Sequence, residues 1–343
     1  MKNSRIYTAL IAMAFSAVAY AGNPQRTGSA GAPELLINPF ARSAGWGSVN
    51  LAGASGMDAL YVNIAGLANA ANTEVSFNNT QWLVGSDIQL NAATLVQRVS
   101  PVGVMTLGLT SFDYGDLIVT TEEQPEGTGS TVNPTSLIIN LGYSQLFTDQ
   151  IRGGVNIKMY NSTISNLNAS GVAFDAGVQY HKENFKFGIT LRNVGPGVSY
   201  QGDGMSVVLP VPTFGVAYSQ SFESRSALFE LPTQLGIGIG YDYHLETGKL
   251  TAAGSFVSNA FEKDTYHAGI QYSLKDLFQL RVGYMVYDNR GAEANTSAIS
   301  GFSGGFSFDV PTGDEGKFAI DYAYRSTTSA FSGIHTIGAR ITL

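Results

Sequence analysis

The chain has 343 residues, 44% of them hydrophobic and only 13% charged, with a net charge of −7 and no cysteine. Soluble domains carry about 25% charged residues, so an ordinary cytosolic enzyme fits poorly, and the acidic balance excludes nucleic-acid binding, which needs a basic face. Without Cys there are no disulfides, thiolate zinc sites or lipoprotein attachment, and beyond the N-terminus no apolar run reaches the roughly 18 residues of a transmembrane helix.

Residues 1–21 read as a secretory signal. Lys2 and Arg5 form the charged start, Ile6 to Val18 the apolar core, and Ala19-Tyr20-Ala21 the small-residue site, so cleavage is expected before Gly22. Residues 22–71 are rich in Gly, Ala and Asn and almost free of charge from Pro33 to Asn69. They are too irregular for a long helix or strand. A short helix is expected near Asp58, with Gly66 at its end. A compact segment of small residues placed before a set of strands is expected to be a luminal plug, or hatch.

After Asn72 the period changes to two. In Gln234–Tyr243, Leu235, Ile237, Ile239, Tyr241 and Tyr243 share one face, and Gln234, Gly236, Gly238, Gly240 and Asp242 the other. Residues 184–193, 278–287, 317–325 and 335–343 repeat the pattern. Strict alternation gives each strand one wet and one apolar face. In a soluble sandwich the apolar faces meet inside; in a membrane barrel they meet lipid and the polar faces line the lumen. The export signal favours the barrel. So do aromatics at Tyr143, Tyr160, Tyr180, Tyr241, Tyr243, Tyr272, Tyr284 and Tyr324, which suit interfacial girdles.

Strands are expected at 73–84, 87–99, 102–114, 135–147, 151–164, 170–182, 184–194, 233–246, 249–260, 264–275, 278–289, 299–310, 316–328 and 333–343. That is about fourteen, an even number as bacterial barrels have. Alternate connections are short (Ser100-Pro101, Thr148-Asp149, His181 to Asn184, Glu246 to Gly248, Lys275-Asp276, Pro311 to Glu315) and would be periplasmic turns. The others include the long 115–134, 195–232 and 290–298, which would face outside. Both barrel termini then lie on the periplasmic side, and the plug is expected to originate there. The segment 211–222 also looks strand-like. Spanning would break parity, so it is placed in a hairpin or bent excursion of the loop 195–232. The expected fold is therefore an all-β transmembrane antiparallel barrel over 72–343, behind a plug over 22–71.

Little points to chemistry. His181, His244, His267 and His335 show no metal-ligand spacing, and no Ser stands out as a nucleophile, so neither an enzyme nor a cofactor is expected. Gly236, Gly238 and Gly240 lie within an alternating strand and read as small lumen-facing residues beside a plug, not as a phosphate loop. The predicted lumen face carries Lys158, Asp175, Lys186, Arg192, Asp242, Arg281, Asp309, Asp321, Arg325 and Arg340. An internal ion-pair network holding the plug is preferred to a selectivity ring, with Arg42 and Asp58 as its partners. The outward loop 205–214, with Met205, Val207, Val208, Leu209 and Phe214, is unusually apolar. It reads either as packing over the barrel mouth or as a docking surface for a protein or lipid partner. The loop 115–134, with Asp116, Glu122, Glu123 and Glu126, reads as a solvated acidic loop.

Ala41-Arg42-Ser43-Ala44-Gly45-Trp46-Gly47, followed by Asp58-Ala59-Leu60-Tyr61-Val62-Asn63-Ile64-Ala65-Gly66-Leu67, resembles the N-terminal signature of PorV/PorQ-type outer-membrane proteins of Bacteroidota, within the broader FadL-like class. Trp82-Leu83, Gly202-Asp203-Gly204 and Phe256 to Tyr284 extend the likeness. The resemblance implies a 14-stranded barrel with an N-terminal hatch, in which Arg42, Trp46, Asp58, Asn63 and Gly66 are the hatch residues to watch. It also implies a link to type IX secretion, where PorV-like barrels bind the C-terminal domains of cargo or accompany the translocon. FadL-like relatives instead carry hydrophobic small molecules, which would place a ligand in the lumen beside Trp46 and Tyr61. The chain departs from the pattern at Ile64, where FadL-like hatches often have Pro, at Trp46, where a smaller residue is usual, and at the terminal Leu343, where an aromatic is common.

Overall fold

The computed structural model describes residues 26, 28–211, 218–275, 277–288, 298–312, 316–328 and 331–343. The expected signal sequence and Phe214 lie outside them. Fourteen antiparallel strands form one closed barrel in which each pairs with its neighbours in sequence and the last pairs with the first. They are β1 (Thr73–Trp82), β2 (Ile88–Arg98), β3 (Gly103–Asp113), β4 (Thr135–Leu146), β5 (Ile151–Ile164), β6 (Leu167–Lys182) and β7 (Phe185–Val194). The second half is β8 (Gln234–Leu245), β9 (Gly248–Asn259), β10 (Thr265–Leu274), β11 (Phe278–Tyr287), β12 (Ile299–Thr312), β13 (Gly316–Thr327) and β14 (Ile334–Thr342). β1 meets β14 in continuous register from Glu74↔Thr342 to Gln81↔His335, so the sheet has no free edge.

The wall is apolar outside and polar inside. In β8, Leu235, Ile237, Ile239, Tyr241 and Tyr243 are exposed, while the inward faces of β3 to β6 bury Thr110, Asn140, Asn156 and Gln179. That distribution is the reverse of a soluble sandwich and settles the choice in favour of a membrane barrel. One aromatic expectation fails. Tyr160 is 3% exposed and faces the lumen, because it shares the parity of the inward Asn156, Lys158 and Ser162.

β6 starts three residues earlier than expected. Ile164 pairs with Leu167 across a tight turn in which Ser165 has φ 53°, so the presumed loop is a hairpin. Within the loop 195–232, Ser206–Val211 pairs with Tyr218–Glu223 and with no other strand among the described residues, and the barrel count stays at fourteen. A smaller hairpin, Leu117–Ile118 with Thr131–Val132, lies in the loop 115–134.

Residues 30–70 lie inside the barrel as a chain of short turns: Pro33–Leu36, Ala41–Ala44, Gly56–Asp58, Ala59–Val62 and Ile64–Asn69. Leu60, Ile64 and Leu67 are fully buried, each contributing about 1.5–3 kcal/mol of hydrophobic burial. The expected helix near Asp58 is one turn long and ends at Asn63, whose side-chain oxygen accepts the Ala65 N–H at 3.2 Å. Gly66 does not end it. It sits inside the next turn, where a Cβ would stand 1.9 Å from the Ala54 carbonyl oxygen. The segment also runs opposite to expectation. Ala30 bridges Glu230 at the long-loop rim, whereas Ala70 accepts from Arg98 beside the short turns where β1 begins. It therefore traverses the lumen from one rim to the other.

Candidate functional site: the luminal segment and its contacts

Arg42 projects from the turn Ala41–Ala44 into a group of inward charges on β11 to β14. Its guanidinium meets Asp309 of β12 at 2.7 Å and Asp321 of β13 at 3.3 Å, with Asp58 at 3.9 Å. Arg340 of β14 meets Asp309 at 3.3 Å and Asp58 at 4.0 Å. Arg281 of β11 is 1% exposed and stays within the wall, donating to Gln271 at 2.8 Å, to Ser307 at 2.7 Å and to Gln279. Arg42, Arg281 and Arg340 thus balance Asp58, Asp309 and Asp321. Burial acts against the Arg42 charge, but Asp321, Asp309 and Asp58 outweigh it and raise its pKa. Burial is also the largest influence on Asp58. It lifts that carboxyl from 3.8 to about 6 against the pull of Arg42 and Arg340.

A second group lies on β5 to β7. Lys158 pairs with Asp175 at 2.8 Å and donates to Asn193 at 2.7 Å, with its ammonium 5.7 Å from the Tyr61 ring centre. The Tyr61 hydroxyl lies 2.7 Å from Thr110 and accepts from Asn140 at 3.1 Å. Arg192 donates to the Tyr61 carbonyl at 2.5 Å and also to Gln234. A β-bulge, with φ 58° at Asn193, lets the consecutive Arg192 and Asn193 both reach inward. Asn63 binds the wall through backbone alone: its amide donates to Val178 and Ile189 carbonyls at 3.2 and 3.3 Å and to Leu51 of the segment at 3.0 Å.

The other expected residues divide. Asp242 pairs with Lys186 at 2.7 Å and Lys249 at 3.8 Å, within the wall. The Arg325 side chain has no ion pair and no hydrogen bond among the described residues, and lines a cavity of about 350 Å³ near the long-loop rim, together with Arg192, His267, Trp82, Ile88 and Val62. Trp46 lines a different cavity, about 210 Å³, near the short-turn rim. Trp46 and Asn50 face one cavity and Gly47, Ser48 and Leu51 the other, so residues 46–51 form the septum between them; Tyr61 lines neither. Val208 and Leu209 are 67% and 48% exposed, and Met205 is half-buried. Val207 belongs to the hairpin through its pairing with Phe222.

Two carboxylates escaped the sequence reading. Glu34 is buried against the hydroxyls of Tyr114, Ser136 and Tyr160. Glu74 accepts the Met57 and Ala71 N–H groups, each at 3.0 Å. Parity gives the signal for Glu74, which alternates with Val75 on the inward face of β1; nothing comparable marks Glu34.

The sequence matches the family described as type IX secretion system membrane protein PorP/SprF over residues 126–339, more than half of the chain. No curated protein matches it. Among solved structures, it is similar to the CymD monoaromatic hydrocarbon channel, at 14% identity and TM-score 0.55, covering 89% of this chain and 97% of that one. It is also similar to the Ralstonia pickettii toluene transporter TbuX (12%, TM-score 0.55, 89% and 97%) and the Pseudomonas putida toluene transporter TodX (13%, TM-score 0.54, 87% and 97%). At such identities the likeness is one of fold. The match names PorP/SprF and not PorV/PorQ, whose most specific motif, residues 41–67, lies outside the matched stretch. A closed fourteen-strand barrel, apolar outside, together with the match over 126–339, identifies the chain as a member of the PorP/SprF family of type IX secretion system membrane proteins, resident in the outer membrane.

Proposed function

We propose that this protein is a non-enzymatic accessory of type IX secretion, acting in the PorV/PorQ manner, that binds cargo C-terminal domains or translocon components on its long loops. Those loops face outside and the short turns face the periplasm, the orientation general to bacterial barrels. Residues 1–21 direct export and are removed before Gly22. Residues 22–71 act as a plug whose seat depends on Arg42, Trp46, Asp58, Asn63 and Gly66, against the wall charges of β5 to β14.

The observation that carries this reading is the hairpin 206–211 with 218–223. It stands outside the barrel, pairs only with itself among the described residues, and leaves Val208, Leu209, Tyr218 and Phe222 at least 45% exposed. Exposed apolar surface of this kind marks contact sites. Affinity purification from native outer membranes, with mass spectrometry of what co-purifies, tests it. A preparation free of every secretion component and every cargo protein undoes the reading.

A second reading, a transporter of hydrophobic small molecules, is favoured by the 350 Å³ cavity, whose wall joins Leu36, Ile37, Trp82 and Ile88 to Arg325. The likeness to toluene transporters and a hydrocarbon channel supports it. The chain has only two tryptophans, and Trp82 lines this cavity. Saturable quenching of its fluorescence by toluene in the Trp46→Phe variant would favour transport; an unchanged spectrum would discard it.

A further inference from the structure

The upstream end of the luminal segment is fastened to the loop that carries the exposed hairpin. The legs of that loop pair with each other through Val198 and Phe229, whose N–H groups each donate to the other's carbonyl at 2.8 Å. Residues 29–31 add to this pair as a third strand. Gly31 donates to the Glu230 carbonyl at 3.0 Å, and Glu230 donates back to Ser29 at 3.3 Å. The Phe229 ring packs against Gly31, where a Cβ would come within 2.2 Å of it. Arg26 forms an ion pair with Glu230 and stacks 4.5 Å from the Phe261 ring centre. A few residues on, the Asn193 amide donates to both Leu35 at 3.3 Å and Pro232 at 3.2 Å, binding segment and loop leg at one point.

Two features make this junction a movable one. The ion pair is exposed, and exposed pairs are weak. A crevice of about 140 Å³ lies directly beneath, bounded by Gly28, Gly31, Leu36, Pro232 and Phe261. Backbone pairing therefore holds residues 29–31 from one side, with open space on the other. Immediately downstream, Pro33, Glu34, Leu36, Ile37 and Asn38 form part of the wall of the 350 Å³ cavity.

We propose that residues 29–31 and the loop leg 229–232 form a latch, so that the hairpin-bearing loop governs access to the outer cavity of the lumen. The latch closes when Glu230 pairs with residues 29–31 and opens when the leg is drawn away, as by a partner seated on the hairpin. The inference rests on residues 22–71 being a plug, but its test uses no partner and stands apart from the co-purification experiment.

The chain has no native cysteine, so Ile37→Cys, on the wall of the 350 Å³ cavity but not of the crevice, is a clean reporter of that cavity. Its labelling by a membrane-impermeant maleimide would be measured in the full-length folded barrel. Three latches are compared: the native one, Gly31→Val, which displaces the Phe229 ring, and Arg26→Ala/Glu230→Pro, which removes the ion pair and one bridging N–H. Labelling at least about tenfold faster in either altered form, with heat-modifiability on gels unchanged, is the expected result. Equal rates in the native form and in every folded altered form would overturn the latch. If Gly31→Val does not assemble, the second variant decides alone.

Discussion

Arg42 is the side chain through which the luminal segment reaches two wall carboxylates at once, Asp309 and Asp321. Truncating it leaves those groups buried without their nearest counter-charge, a defect that costs about 3–5 kcal/mol. Arg42→Ala should therefore lose heat-modifiability at a lower temperature and leak small solutes in a liposome-swelling assay. Unchanged swelling and unchanged gel behaviour would refute this. Asp58 makes the opposite kind of contact. Its carboxyl is raised to about 6, so the folded state holds the proton more tightly than the unfolded state. Its contribution to stability is fully present below about pH 4 and is lost as pH rises through 6. Asp58→Asn keeps the neutral shape, so the wild type should be as stable as the variant at pH 4 and less stable at pH 7.5. A melting-temperature difference that does not change with pH would count against that account. Inward charges were legible because parity places every second residue in the lumen. Tyr160 was misread because an aromatic in a strand suggests a girdle, although its parity with Lys158 gave the other answer. Glu34 was illegible, since its three hydroxyl partners come from Tyr114, Ser136 and Tyr160, far apart in sequence.

Among the elements, the strands were the most readable, because a wall with lipid on one side and water-like groups on the other admits only a period of two. Their ends were less so. β6 gained three residues from a two-residue turn, and the bulge at Asn193 has no signal in composition. The hairpin 206–211 with 218–223 could be kept out of the barrel only by counting. Because it pairs with nothing in the wall, replacing 206–223 by a short Gly-Ser linker should leave a folded, heat-modifiable barrel. The same deletion should remove the secretion components or cargo that co-purify with the intact chain. Full recovery of those proteins with the shortened loop would move the contact surface elsewhere.

At the scale of the whole molecule, fourteen strands enclose a lumen wide enough for a segment but not for a domain. The fit is backbone to backbone on the side of β11: a Cβ on Gly283 would stand 2.3 Å from the Trp46 carbonyl oxygen. Gly283→Val should push residues 46–51, the septum between the two cavities, out of place. Single-channel recordings should then show conductance that the wild type lacks, while a silent, folded variant would show that the septum seats by other contacts. Parity told where the barrel begins and ends. It did not tell which way the segment points, because small, uncharged residues favour neither end of a lumen.

That direction bears on assembly. A chain that crosses a filled lumen from rim to rim cannot be threaded into a finished cylinder. Residues 30–70 must already lie across the sheet when its two margins come together. The closing contacts are those of Thr73 with Leu343, which exchange backbone hydrogen bonds at 3.0 and 2.8 Å where the first strand meets the last residue of the chain. The segment is thus a mandrel around which the sheet is wrapped, and the seam between β1 and β14 is among the last contacts to form.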